Sequence, residues 1–144
     1  MLEQAFQDVY TKFKLHFYQE IFRRFQDREA SLTTVETFCM ESIMALGRPT
    51  VNEFATFMCI SPPNAAYKVN SLVKKGYTER ERSEKDRRIV YIHLTGKGRQ
   101  AFHHHAKFHE QMTDAVMAEL GEEEVQVLGK TLKALTDFFR SYKK

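Results

Sequence analysis

Apolar residues recur every three or four positions over most of the chain, and every second position in one short stretch. Leu2, Phe6, Val9, Phe13, Phe17, Ile21 and Phe25 mark a first helix over residues 2–28. Tyr10, Tyr18 and Phe22 widen its apolar arc, so the helix needs two burying surfaces, its own domain and a partner chain. Thr33 and Glu36 form a capping box that starts a second helix, with Phe38, Ile43, Met44 and Leu46 inward and Gly47 at its end. Thr50 and Glu53 repeat the box for a short helix that buries Phe54, Ala55 and Met58. Ser61 caps the next helix, and Pro62 and Pro63 fall in its first turn, where a missing N–H costs little. That helix runs to Lys75, and Gly76 supplies a left-handed end.

The period then changes. Residues 77–82 are polar and tolerant of a strand, and Ile89-Val90-Tyr91-Ile92-His93-Leu94 is β-branched and aromatic. The charged run Ser83-Glu84-Lys85-Asp86-Arg87-Arg88 between them reads as a hairpin tip. Thr95 caps a helix expected to reach about Leu120, with Gly121 closing it. Glu122, Glu123 and Glu124 favour the start of a last helix, which repeats Val125, Leu128, Leu132, Leu135, Phe139 and Tyr142 as a helix–helix seam. The fold class is mainly α, with one two-stranded β element.

Net charge is only +3, but it is unevenly placed. Residues 68–88 hold eight Lys/Arg against four acids, whereas the rest of the chain holds 14 bases and 15 acids. Positive charge focused on one segment is expected of a surface that meets phosphates. Two short capped helices joined by Cys59-Ile60-Ser61 have the dimensions of a helix-turn-helix, whose second helix enters the major groove. On that helix Ala65, Val69, Leu72 and Val73 form the inner face. Asn64, Tyr67, Lys68, Ser71, Lys74 and Lys75 form an outer face that carries no acid. With Ser61 they are the candidate recognition-helix residues: Asn64 suits adenine, Lys68 guanine or phosphate, and Tyr67 phosphate or a thymine methyl. Arg82, Lys85, Asp86, Arg87 and Arg88 are the candidate wing residues. Arginine at such a tip fits the negative minor groove, and Asp86 is placed to hold Arg88 by charge-assisted hydrogen bonds.

Leu72-Val73-Lys74-Lys75-Gly76-Tyr77, Arg82-Ser83-Glu84-Lys85-Asp86-Arg87-Arg88 and His93-Leu94-Thr95-Gly96-Lys97-Gly98 together resemble the MarR family of winged helix-turn-helix transcription regulators. The Asp-x-Arg wing signature is matched by Asp86 and Arg88. The resemblance implies a single domain over 1–144, with a DNA-binding lobe at 33–95 and dimerisation helices at 1–30 and 97–144. It also implies an obligate, triangular homodimer that binds a near-palindrome in double-stranded DNA, and a ligand cleft between the dimer helices and the lobes. Repression relieved by a small-molecule effector is the commoner mode in the family.

His103, His104, His105 and His109 crowd one helix, and His105 and His109 lie one turn apart, a spacing able to bind zinc. A third ligand would come from Glu41, Cys39 or Glu110. Zinc-sensing members of the family use histidines in this region, together with one from the second helix, where Phe38 stands here. His105-x-x-Phe108-His109 also resembles the branch of the family that represses fatty acid synthesis genes, which implies an acyl-type effector. Zinc and acyl compounds are therefore both candidate effectors, and solvated or lining histidines are the plainer reading.

Other classes are set aside on composition. No apolar run approaches the ~20 residues of a membrane span, and no signal peptide is evident, so a cytoplasmic protein without membrane contact is expected. Cys39 and Cys59 read as reduced thiols. The peroxide sensors of the family use a cysteine near the N-terminus, and residues 1–38 contain none. No catalytic residues are assigned, because no nucleophile motif, phosphate-binding glycine loop or nucleotide fingerprint is present. A helical interaction or adaptor module without DNA binding is the remaining alternative.

Overall fold

Four of the expected helix starts, after Thr33, Thr50, Ser61 and Thr95, carry the side-chain caps that the sequence encodes. The structure, a computed structural model, describes residues 1–26 and 32–142, and their side chains except those of 24–26 and 103–105. Thr33 Oγ1 accepts from Glu36 N while Glu36 Oε2 accepts from Thr33 N, opening α2 (Thr34–Leu46). Thr50 and Glu53 make the same reciprocal pair at α3 (Val51–Met58), and Ser61 Oγ accepts from Asn64 N at α4 (Pro62–Lys74). Each such cap is worth about 1 kcal/mol. The first helix, α1, spans Leu2–Gln26. The expected residues 27–28 lie outside the described residues, as does the side chain of Phe25.

Residues Met1–Gln100 and Ala101–Lys144 form two compact units. In the first, α1 lays Phe17 on Phe38 of α2, with ring centroids 5.7 Å apart. The core of this unit gathers Cys39, Met40 and Ile43 from α2, Phe54 and Ala55 from α3, Ala65, Val69 and Leu72 from α4, and Ile92 and Leu94 from the hairpin. Strands β1 (Thr78–Arg82) and β2 (Val90–Leu94) pair antiparallel with Thr78 opposite Leu94 and Arg82 opposite Val90. Pro49 O accepts from Ile92 N at 2.8 Å, and Thr50 bridges Tyr91, so the chain entering α3 is stitched to the hairpin.

The buried stripe of α2 differs from expectation. Met44 and Leu46 are exposed and Phe38 is half-buried, while Glu36, Thr37, Cys39, Met40 and Ile43 point inward. The stripe is rotated because Glu36, a polar residue, occupies a core-facing position and is paired there. Met58 and Val73, expected inside, are half-buried.

The helix expected from Thr95 to about Leu120 is interrupted. It is a five-residue helix α5 (Gly96–Gln100), a turn at 101–102, and α6 (His103–Glu119). The first segment is pinned to the lobe and is not free to run on. Thr95 Oγ1 donates to Gly76 O at 2.7 Å and accepts from Gly98 N, Lys97 Nζ donates to Lys75 O, and Arg99 Nη1 donates to Leu94 O. Gly98 packs so closely on the Tyr77 carbonyl oxygen that a Cβ would overlap it.

In the second unit Gly121 starts α7 (Glu122–Ser141) rather than ending α6, its N–H donating to Glu124 Oε2 at 2.8 Å. Of the expected seam of α7, Leu132, Phe139 and Tyr142 are exposed, and Val125, Leu128 and Leu135 are half-buried. In α1, Leu2, Val9, Tyr10 and Phe22 are likewise more than half exposed.

Candidate nucleic-acid interface

Helices α3 and α4 are joined through Cys59, which closes α3 in the left-handed region at φ 54°. Cysteine tolerates that conformation less well than glycine, and the turn is held by Cys59 N and Ile60 N, which donate to carbonyls of the last turn of α3. Ser61 then caps α4, and Gly76 follows its end at φ 78°, where glycine carries no Cβ penalty.

The structure divides the recognition-helix candidates in two. Asn64, Tyr67 and Lys74 are exposed, Tyr67 at 74%, on a helix that contains no acid. Ser61 is also exposed, but its oxygen is used as the cap. Ser71 and Lys75 turn instead towards α2. Ser71 Oγ donates to Glu36 Oε1 at 2.6 Å, and Lys75 Nζ meets Glu36 Oε2 at 2.7 Å. Lys68 is half-buried on the same flank, where its charge acts on Cys39.

Burial pushes the Glu36 carboxyl up. The bonds from Lys75, Ser71 and the Thr33 backbone outweigh that and hold it lowered to about 2. Glu36 therefore staples the recognition helix to α2 as an ion. Cys39 goes the other way: burial raises its thiol, the Lys68 charge only partly offsets this, and the group is a packed core side chain.

The hairpin tip is an ordered turn. Ser83 Oγ accepts from Lys85 N and Asp86 N, Ile89 N donates to Asp86 O, and Ser83 N donates to Ile89 O. Arg88 Nε and Nη2 donate to the two oxygens of Asp86 at 3.1 and 3.0 Å, and Arg88 N adds a third bond to Oδ1. The hydrogen bonds from Arg88 lower the Asp86 carboxyl, and the same pair raises the guanidinium. The fork is fixed at its base while the Arg88 side chain stays 90% exposed. Arg82, Lys85 and Arg87 are exposed around it.

Two residues outside the candidate set join helix and wing. Arg80 Nη2 of β1 donates to Asn70 Oδ1 of α4, and both residues are exposed. The register explains the placement. Thr78, Arg80 and Arg82 share a face with the core residues Ile92 and Leu94, whereas Glu79 and Glu81 share the other face with His93 and Tyr91. The Thr-Glu-Arg-Glu-Arg alternation therefore sorts charge across the hairpin, basic towards α4 and acidic away. That period of two was the signal in the sequence. On the acidic face His93 contacts Glu79 at 3.6 Å and Glu81 at 3.3 Å, and Arg48 pairs with Glu81 at 2.7 Å. Arg48, Glu81, His93 and Arg99 line a cavity of about 310 Å³ there, with Met44 and Leu94 as its apolar wall.

Of the candidate zinc ligands, the His105 side chain lies outside the described residues. His109 is exposed and packs beside Phe108, their ring centroids 6.0 Å apart. Cys39 is fully buried, and among the described residues no group of three or more His, Cys, Asp or Glu is placed to hold a metal. Among the same residues no helix is long and apolar enough to cross a membrane.

Comparison with known proteins agrees with this geometry. The MarR family model matches residues 32–90, from the start of α2 to the wing. The HTH-type transcriptional regulator BilQ of Clostridium symbiosum is 42% identical over 78 residues, 49% of this chain and 54% of that protein, so the match spans about half of the relative's length. The crystal structure of FabT from Streptococcus pneumoniae, solved in complex with DNA, is similar at TM-score 0.69 and 29% identity, covering 99% of this chain and 100% of FabT. A point mutant of MepR from a multidrug-resistant clinical isolate of S. aureus has the same fold at TM-score 0.69 and 17% identity, covering 96% of this chain and 97% of MepR. The capped helix-turn-helix, the Asp86–Arg88 wing and these matches together make residues 32–90 of the chain similar to the MarR family of winged helix-turn-helix transcription regulators.

Proposed function

We propose that this chain binds double-stranded DNA as a homodimer and represses transcription until an effector binds. The observation that supports this best is the fixed Asp86–Arg88 fork on a wing that follows an acid-free, exposed recognition helix. Asn64, Tyr67 and Lys74 read or grip the major groove, and Arg88, with Lys85 and Arg87 beside it, enters the adjacent minor groove. Asp86, an anion on a phosphate-facing loop, orients the arginine at some electrostatic cost. FabT, 29% identical over nearly the whole chain, was crystallised with DNA, which supports the same reading.

The homodimer follows from the apolar side chains of α1 and α7 that the single chain leaves exposed. Residues 1–30 and 97–144 supply the dimer contacts, and 33–95 the DNA-binding lobe. Two lobes then address half-sites about 34–36 Å apart in a near-palindrome. An effector that prefers another lobe spacing lowers affinity by differential binding. Acyl compounds are the first class to try, given the likeness to FabT, and zinc through His105 and His109 is the second.

The test is a band shift on the DNA upstream of the chain's own gene. A dimer that neutralises about six to ten phosphates loses about 10³–10⁵ in affinity between about 50 and 200 mM salt, and Arg88→Ala weakens binding. Parallel lanes with acyl compounds and with zinc show which effector releases the DNA. Weak, salt-insensitive association, unchanged in Arg88→Ala, would establish the adaptor reading instead.

A further inference from the structure

We infer that Arg80, aimed by Asn70, is a phosphate clamp on the DNA strand that passes between the recognition helix and the wing. This rests on the DNA reading proposed above and adds two residues to it. A protein that puts one element into a major groove and the next into the neighbouring minor groove must straddle the sugar–phosphate strand between those grooves. In this chain a side-chain bond from Arg80 Nη2 to Asn70 Oδ1 spans the gap between α4 and the hairpin.

The placement is specific. Asn70 lies three residues after Tyr67 and four before Lys74, so the three share a face of α4, and all three are exposed. Arg80 lies on the face of β1 that carries Arg82, about 7 Å further from the tip. The guanidinium is thus a step between the cations of the helix and those of the wing.

Its chemistry suits the role. A guanidinium has five N–H donors in a rigid fork, and Asn70 Oδ1 accepts from one guanidinium nitrogen, Nη2. The rest of the fork is available to a phosphate, and Arg80 is exposed rather than buried against the lobe. Asn70 is neutral, so it holds the cation without cancelling its charge, which a carboxylate at that position would do. The acidic residues of the same strand, Glu79 and Glu81, face the other way and do not compete for Arg80. Arg80 is the contact residue, and Asn70 is a positioning residue.

The experiment uses the full chain and a labelled duplex of about 30 base pairs of arbitrary sequence, long enough to meet both lobes of a dimer. Affinity is measured across a salt series for wild type, Arg80→Ala, Arg80→Lys, Asn70→Ala and the Arg80→Ala/Asn70→Ala pair, with thermal melts as the folding control. Arg80→Ala lowers affinity about tenfold and lowers the salt slope by about 1 per engaged lobe. Arg80→Lys restores the slope while recovering only part of the affinity. Asn70→Ala lowers affinity about threefold with the slope kept, and adds nothing in the Arg80→Ala background. Wild-type binding with a steep slope that Arg80→Ala leaves unchanged overturns the clamp and spares the DNA reading. Multiplying losses in the double variant overturn the positioning role of Asn70. A wild type that binds no duplex in a salt-dependent way overturns both the clamp and the function beneath it.

Discussion

Replacing Glu36 by glutamine probes the contact that fixes the recognition helix. The carboxylate accepts from Thr33 N at 2.8 Å, Ser71 Oγ at 2.6 Å and Lys75 Nζ at 2.7 Å, and its side chain is only 10% exposed. Its pKa falls from the ordinary 4.5 to about 2 on folding. The linkage relation makes that worth about 3 kcal/mol near neutral pH. Lys75 is 31% exposed and regains water once its partner is gone, and glutamine keeps part of the cap. The expected loss in Glu36→Gln is therefore about 2 kcal/mol, or about 4–8 °C in Tm for a chain of this size.

The sign follows from the direction of the shift. A depressed carboxyl stabilises above its unfolded pKa, and that contribution drains as pH falls from about 5 towards 2. Urea unfolding of both proteins at one fixed concentration should show the gap more than halving between about pH 6 and pH 3. A gap that stays constant over that range, or no gap at about pH 6, would refute the ion-pair account of the staple.

Three further outcomes are expected. Asp86→Ala removes a negative charge from the loop proposed to face DNA, so simple electrostatics predicts tighter binding. The held fork predicts binding about three- to tenfold weaker, because Arg88 must then be ordered on association, and a titration on the upstream duplex decides the sign. Gly98→Ala sets a methyl group against the Tyr77 carbonyl and should cost about 2 kcal/mol, read from thermal melts. Leu132→Asp places a charge on the exposed seam of α7 and should shift sedimentation towards monomer with the lobe still folded. An undisturbed dimer would show that α7 is not the interface.

What was legible in the sequence was local. Thr33 with Glu36, Thr50 with Glu53, Ser61 ahead of two prolines and Gly76 after a helix each act within about three residues, and each stands where the pattern put it. The Asp86–Arg88 pair is two residues long and was readable for the same reason. What escaped was long-range. Glu36 meets Ser71 and Lys75 across 35 and 39 residues, and that contact moves two nominal recognition residues away from the exposed face of α4. Asn70 and Arg80 meet only because the helix and strand pack together. The break between α5 and α6 follows a segment tied to Gly76, Tyr77 and Leu94, partners invisible to a helical period. Helical spacing also placed Met44 and Leu46 inside, where the buried carboxylate of Glu36 shifts the stripe.

The central claim is that one lobe grips two adjacent grooves of the same duplex, twice per dimer. Hydroxyl-radical footprinting on the upstream region tests it most directly. Two protected tracts on one face of the duplex, centred about one helical turn apart and each trimmed at its minor-groove edge by Arg88→Ala, are predicted. A single unpaired tract, or a footprint untouched by the loss of Arg88, would contradict it.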